Sequence, residues 1–337
     1  MKKHYLSLVA FLLSSCSLLR APVAPAPAPT VIHPTAIVIT PTPLPTPTLA
    51  PYEQYTIDYL RKRTYGGGSL QVLEKLAEND SFISYSIRYP SEGLNIYGFM
   101  NVPKGPGPFP VIVSIHGYTA YGKYDPFNPA LDSADLLAAN QFIVIHPGLR
   151  NHPPSDRGDN LLRVGMTLDV MNLIALVKAR SELPPELASA NTDRIGLWGT
   201  SLGGEIGLRV ITISPDVNAA VLYSPLSGNS ERNSRQLYEI TRDEEFAKDF
   251  VVPLEMQERI SLVYHYHKIT SAVQLHHGTA DTTAPISWAV ETCDFLKAAG
   301  ISIQCLYYQD AGHVFGGDGL RQLQQSALEF YRTHLYP

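Results

Sequence analysis

Residues 194–204 hold the residue types and spacing that most clearly indicate chemistry, reading RIGLWGTSLGG. The apolar half predicts a short buried strand, and the apolar residues of 205–211 have helical spacing. Between them, Gly-x-Ser-x-Gly predicts a sharp turn that projects the Ser201 hydroxyl, since side chains at Gly199 and Gly203 would collide with the neighbouring strand and helix. The N–H of Leu202, at the helix start, would face an oxyanion formed by attack of Ser201. Ser201 is therefore a candidate nucleophile, although a serine here would also suit a plain helix N-cap.

A serine hydroxyl is a weak nucleophile near pH 7 and needs a base, which in turn needs an orienting acid. Two later segments, HGTADTTAP at 277–285 and QDAGHVF at 309–315, each directly follow a predicted strand. The carboxyl ends of parallel strands share one edge of a sheet, so both segments would lie near Ser201. We predict Asp281 as the acid and His313 as the base.

Each prediction has a rival. Asp281 also suits a turn, and Asp310 is a competing acid, but it lies too near His313 in the chain to reach the far side of the imidazole ring. His276, His277 and His116 compete with His313 for the role of base. They lie within or at the ends of predicted strands and are interpreted as structural.

His265 and His267 alternate along the chain without a third ligand, a pattern that rarely binds a metal ion. We predict no metal and no organic cofactor.

These motifs together resemble the prolyl-oligopeptidase-like branch of the α/β-hydrolases, which includes esterases, over roughly residues 82–335. The resemblance rests on four motifs: His116-Gly117, Gly199-x-Ser201-x-Gly203-Gly204, His277-Gly278-Thr279-Ala280-Asp281 with Pro285, and Ala311-Gly312-His313. It implies that Ser201 is the nucleophile, Asp281 the acid and His313 the base. It also implies an oxyanion hole made by the N–H groups of Leu202 and Tyr118.

The remaining patterns predict an α/β-hydrolase fold over 52–337, with a mostly parallel, doubly wound sheet flanked by helices. Residues 53–80 are predicted as helical with an interruption at Gly66-Gly67-Gly68, and 82–89 with 94–102 as a hairpin at the sheet edge. A helical excursion at about 225–270 is expected to cover part of the site.

The N-terminal region has the features of an export signal. Residues 1–15 combine two lysines with an apolar core, and the core ends at Cys16, as in a bacterial lipobox. Residues 16–51 are rich in Pro, Ala and Thr and predict an extended tether. The sequence favours a lipoprotein anchored to the bacterial membrane through Cys16 and facing outward; an ordinary secretory signal is the alternative.

Charge and cysteine content limit the function further. From Glu53 onward the chain has 23 Lys and Arg against 31 Asp and Glu, which argues against nucleic acid as a partner. Cys293 and Cys305 are either a disulfide or two free thiols. We predict an extracytoplasmic serine hydrolase acting on a small ester or a short peptide. The alternative from another class is a non-catalytic surface protein that uses the fold for binding.

Overall fold

The computed structural model describes residues 50–120, 122–127, 132–180 and 182–336. The predicted signal at 1–15, Cys16 and nearly all of the predicted tether lie outside these ranges. No helix within the described ranges is both long enough and apolar enough to cross a membrane.

The described residues build a nine-stranded sheet in the order β1-β2-β3-β5-β4-β6-β7-β8-β9. The first three strands and β5 pair in antiparallel fashion, and the strands from β5 to β9 in the sheet order are parallel. The strands are β1 (Gln71–Glu78), β2 (Phe82–Ser91), β3 (Leu94–Pro103), β4 (Phe109–Ile115), β5 (Ile143–Pro147), β6 (Ala190–Thr200), β7 (Ala219–Tyr223), β8 (Ala272–Gly278) and β9 (Ile303–Tyr308).

Helices cover both faces of this sheet because successive strand residues point to opposite sides. In β4, Val111 and Val113 join the core on one face of the sheet, while Ile112 joins the core on the other face. The described helices are α1 (Ile57–Lys62), α2 (Asp132–Ala139), α3 (Val164–Lys178), α4 (Leu202–Ile213), α5 (Ser230–Thr241), α6 (Glu244–Ala247), α7 (Leu254–Ile260), α8 (Ile286–Ala298) and α9 (Gly317–Leu335). The predicted α/β-hydrolase architecture is confirmed, and the helical excursion at 225–270 contains α5, α6 and α7.

The helix predicted over residues 53–80 is mostly wrong. Only a 3-10 turn at Glu53–Tyr55 and α1 are helical, and Gln71–Glu78 is a strand paired with β2. The glutamate, lysine and alanine residues of this segment favour helix locally, but pairing with the long β2–β3 hairpin outweighs that preference. The hairpin itself is confirmed, yet it does not lie at the sheet edge, because β1 covers it.

Cys293 in α8 and Cys305 in β9 are joined by a disulfide. The bridge fixes a helix to the strand that leads into the loop carrying His313.

Candidate active site

Ser201 occupies the turn between β6 and α4. Its backbone is strained, with φ 54° and ψ −115°, a region that side chains rarely adopt. Two glycines allow this turn: a Cβ on Gly199 would lie 2.4 Å from the carbonyl oxygen of Gly203, and a Cβ on Gly203 would lie 2.3 Å from that of Ile115. The Ser201 N–H donates to the carbonyl of Tyr223 in β7 at 2.9 Å, which holds the turn against the sheet.

The structure brings Ser201, His313 and Asp281 into one hydrogen-bonded row. Nε2 of His313 lies 2.8 Å from Oγ of Ser201, and Nδ1 of His313 lies 2.7 Å from Oδ2 of Asp281. These residues are far apart in sequence and reach one another because β6, β8 and β9 end at the same edge of the sheet. A base on one side of the serine and an acid on the far side of the imidazole form the arrangement that activates a serine hydroxyl.

Asp281 is buried and held in its ionised form. Its Oδ1 accepts the N–H groups of Thr283 and Ala284 at 2.8 and 2.9 Å. Burial alone would raise the pKa of the Asp281 carboxyl, but contacts from His277 and His313 and the Ala284 N–H hold it well below its usual range. Asp281 is therefore a carboxylate at any ordinary pH and stabilises positive charge on His313.

His277 is a residue whose contact with the site the sequence did not predict. We interpreted it as structural, but its Nε2 lies 3.2 Å from Oδ2 of Asp281 and 2.8 Å from the carbonyl of Ala284. Its place in the His-Gly-Thr-Ala-Asp motif, four residues before the predicted acid, was the available signal.

Asp310 and His276, the competing candidates for the acid and the base, form their side-chain hydrogen bonds with residues other than Ser201 and His313. The Asp310 side chain is exposed and accepts from Gln309, not from His313. His276 is buried between Tyr308 and Gln274, 2.8 Å from each, and burial lowers its pKa to about 3. It has the structural role that the sequence indicated.

The loop carrying His313 is held by the neighbouring strand β7. The phenol oxygen of Tyr223 accepts the N–H of Phe315, and the hydroxyl of Ser224 donates to the carbonyl of His313 at 2.9 Å. These contacts fix the backbone at His313 and two residues after it, so the ring is positioned by more than its two hydrogen bonds.

Leu202 and Tyr118, the residues predicted to supply the oxyanion hole, lie beside Ser201. Leu202 begins α4, and a Cβ on Gly117 would lie 3.3 Å from that of Ser201, so the N–H of Tyr118 is nearby. Neither N–H donates to another residue in the described part of the chain. His116 packs behind this loop in a buried stack with Tyr124, with ring centroids 4.1 Å apart.

A cavity of about 550 Å³ opens beside these two residues, a volume suited to a small-molecule substrate. Its wall includes Tyr118, Leu202 and Met166, and the excursion contributes Asp243 and Phe246. The excursion therefore forms part of the wall of this cavity, next to the proposed oxyanion donors.

No group of three or more His, Cys, Asp or Glu side chains that would suit a metal ion occurs within the described ranges. Nε2 of His265, one of the two histidines considered above for a metal site, lies 3.0 Å from the carbonyl oxygen of Glu258.

Known proteins resemble this chain in sequence and in fold. Residues 170–336 match the model of the prolyl oligopeptidase family. A proposed carboxymethylenebutenolidase, found in two strains of Escherichia coli, is 24% identical over 71% of this chain and 80% of its own length.

Two solved structures with a similar fold are an esterase and a peptidase. Acetyl xylan esterase 1 from a Thermoanaerobacterium species has a TM-score of 0.58 and 21% identity, covering 83% of this chain and 91% of its own. The acylaminoacyl peptidase of Pyrococcus horikoshii has a TM-score of 0.59 and 20% identity, covering 76% of this chain and 41% of its own. The chain has the α/β-hydrolase fold, and over residues 170–336 it is similar to the prolyl oligopeptidase family.

Proposed function

We propose that this protein is an extracytoplasmic serine hydrolase that cleaves ester or amide bonds through an acyl-enzyme on Ser201. The observation that carries the proposal is the row of 2.8 and 2.7 Å contacts from Ser201 through His313 to Asp281. A protein that used this fold only for binding would have no need of a strained serine with a base and an ionised acid behind it.

The reaction follows from these positions. Oγ of Ser201 attacks the substrate carbonyl while its proton passes to Nε2 of His313, and the carboxylate of Asp281 stabilises the imidazolium. The N–H groups of Leu202 and Tyr118 hold the negative oxygen of the tetrahedral intermediate. His313 then gives the proton to the leaving oxygen or nitrogen. Water attacks the acyl-enzyme as His313 takes its proton, and the acid product leaves as that proton returns to Ser201.

We place ester hydrolysis before amide hydrolysis. The acetyl xylan esterase and the carboxymethylenebutenolidase are matched over most of their own length, whereas the acylaminoacyl peptidase is matched over 41% of its chain. Small acyl esters, including those of carbohydrates, therefore come first among the substrates, and short peptides come second.

The proposed location outside the cytoplasm has two supports. The sequence around Cys16 resembles a lipobox, and Cys293 and Cys305 are bridged, which favours an oxidising compartment. In this proposal the enzyme faces outward from the membrane on its tether.

A matched pair of substrates tests the activity. One acyl group is presented as a nitrophenyl ester and as an anilide, and kcat/KM is measured for both, with Ser201→Ala as the blank. Turnover of the ester alone supports an esterase, and comparable turnover of the anilide supports a peptidase. Turnover of neither substrate, over a series of acyl lengths, favours the non-catalytic binding protein.

A further inference from the structure

The loop that follows β4 carries one of the two proposed oxyanion donors and has no helix or strand of its own. Residues 116–120 are irregular, so the direction of the Tyr118 N–H depends on side-chain contacts. The Tyr118 phenol donates to Oδ2 of Asp243 at 3.0 Å, and its ring packs against Phe246 with centroids 5.5 Å apart. Both partners belong to the excursion, 125 or more residues away in sequence.

Asp243 is itself well placed to hold the phenol. It is the N-cap of α6, where its Oδ1 accepts the N–H of Glu245 at 3.1 Å, so the carboxylate has one oxygen for the helix and one for Tyr118. Phe246 in the same short helix is buried. The side chain is thus fixed at both oxygens.

The excursion that carries Asp243 is fixed to the helix that carries the other oxyanion donor. Oδ2 of Asp249, just after α6, lies 2.6 Å from Nη1 of Arg163, and Nε of Arg163 lies 2.8 Å from Oε2 of Glu205. Glu205 is in the first turn of α4, which begins at Leu202. Ion pairs therefore connect α4, through Glu205 and Arg163, to Asp249, which lies six residues after Asp243 in the same excursion. These three charged side chains are buried.

The opposite side of the loop is held separately. Nε2 of His152 lies 3.3 Å from the carbonyl oxygen of Thr119, the residue after Tyr118. Burial lowers the pKa of His152, which favours the neutral ring. The Tyr118 side chain and the carbonyl of the next residue are thus contacted from two different parts of the chain.

We propose that Asp243 is a positioning residue for catalysis: through the phenol of Tyr118, it aims the Tyr118 N–H at the oxyanion. This inference rests on the proposed function and adds a role for the excursion. A donor aimed at the oxyanion acts in the transition state more than in substrate binding, so its misplacement lowers kcat and leaves KM nearly unchanged.

The competing interpretation is direct substrate contact, because Tyr118 and Asp243 both line the cavity. In that case each side chain acts by itself: their losses add, and KM changes with the size of the substrate. A double-mutant cycle separates the two interpretations.

The variants are chosen to keep the fold. Tyr118→Phe removes the hydroxyl, and Asp243→Ser removes the contact with Tyr118 while keeping a good N-cap for α6. Asp243→Asn keeps both contacts, because its oxygen can cap the helix while its NH₂ donates to the phenol oxygen. Glu244→Gln is the matched control, since it removes a carboxylate from the same helix at an exposed position.

The measurements are kcat and KM on the best ester, and the affinity for a trifluoromethyl ketone with the same acyl group. We expect Tyr118→Phe and Asp243→Ser each to lower kcat and the ketone affinity about tenfold, the equivalent of one hydrogen bond. The double variant should fall no further than either single variant. KM should change less than about twofold, and Asp243→Asn and Glu244→Gln should stay within about threefold of the wild type.

Three results would overturn the inference: an unchanged kcat in Asp243→Ser, a loss of about a hundredfold in the double variant, or a rise in KM with kcat unchanged. Each leaves the proposed function standing, provided that the wild type turns over and Ser201→Ala does not. A wild type that hydrolyses neither esters nor amides would remove the proposed function and this inference together.

Discussion

Glu205 joins the excursion to the core through a buried group of four charges. Its two oxygens lie 2.8 Å from Nε of Arg163 and 3.4 Å from Nη2 of Arg209, and Asp249 lies 2.6 Å from Arg163. All four side chains are at most 3% exposed. Two guanidinium groups and two carboxylates balance one another, so substitution at any one position leaves a net charge inside the protein.

We predict that Glu205→Gln lowers the free energy of unfolding by roughly 3–5 kcal/mol. The amide has nearly the same shape as the carboxylate, so the loss reports the charge that is left unpaired on Arg163 and Arg209. The whole domain is expected to have a stability of only about 5–15 kcal/mol, so this loss would be a large fraction of it. Asp193→Asn is the control: it breaks the Arg180–Asp193 pair, whose side chains are 60% and 72% exposed, and should cost less than about 1 kcal/mol.

Urea unfolding followed by tryptophan fluorescence and far-ultraviolet circular dichroism measures both variants against the wild type. The reasoning fails if Glu205→Gln falls within 1 kcal/mol of the wild type, because the buried charges would then not depend on one another. Equal losses in Glu205→Gln and Asp193→Asn would contradict it as well.

Three further predictions concern the cysteines and the buried histidines. Replacing Cys293 and Cys305 together by serine should lower the free energy of unfolding by about 3 kcal/mol, because the bridge, with a sequence separation of 12, restricts the unfolded chain, and wild-type protein unfolded with a reductant should match the variant. Burial lowers the pKa of His116 and His276 to about 3, so the unfolded chain binds more protons between about pH 3 and 6.5, and stability is full above that range and falls within it. Going from pH 7.5 to 5.5 should therefore cost about 1.4 kcal/mol for each of these histidines, measured by urea unfolding, and an equal pH dependence in His276→Gln would contradict this. Cys16→Ala should move the protein from the membrane fraction to the soluble fraction, and unchanged membrane association would argue against the lipid anchor.

The residues of the candidate site that the sequence could predict are those with local signals. Ser201 lies in a motif whose glycines are needed within a few residues, and Asp281 and His313 each follow a strand that can be recognised from its own apolar run. Their order along the chain and the shared edge of a parallel sheet were then enough to bring them together.

The contacts that the sequence could not predict join residues with no local signal. Tyr118 meets Asp243, and Arg163 meets Asp249, across 125 and 86 positions, and each of these side chains is also a common surface residue. Strand β1 was missed for a related reason, since its local preference for helix is overruled by a partner strand. The excursion was predicted to be helical, but its attachment to α4 depends on packing that a single sequence does not encode locally.

The identity of the nucleophile is the central claim, and covalent labelling tests it most directly. The wild-type protein is treated with a fluorophosphonate, and the adduct is counted by intact mass and located by peptide mapping, with ester hydrolysis followed in parallel. The account predicts one adduct, on Ser201, formed as activity is lost, with no adduct in Ser201→Ala and at least a thousandfold lower turnover in that variant, roughly as expected for loss of such a nucleophile. An adduct on another residue, or a Ser201→Ala variant that keeps most of its activity, would contradict it.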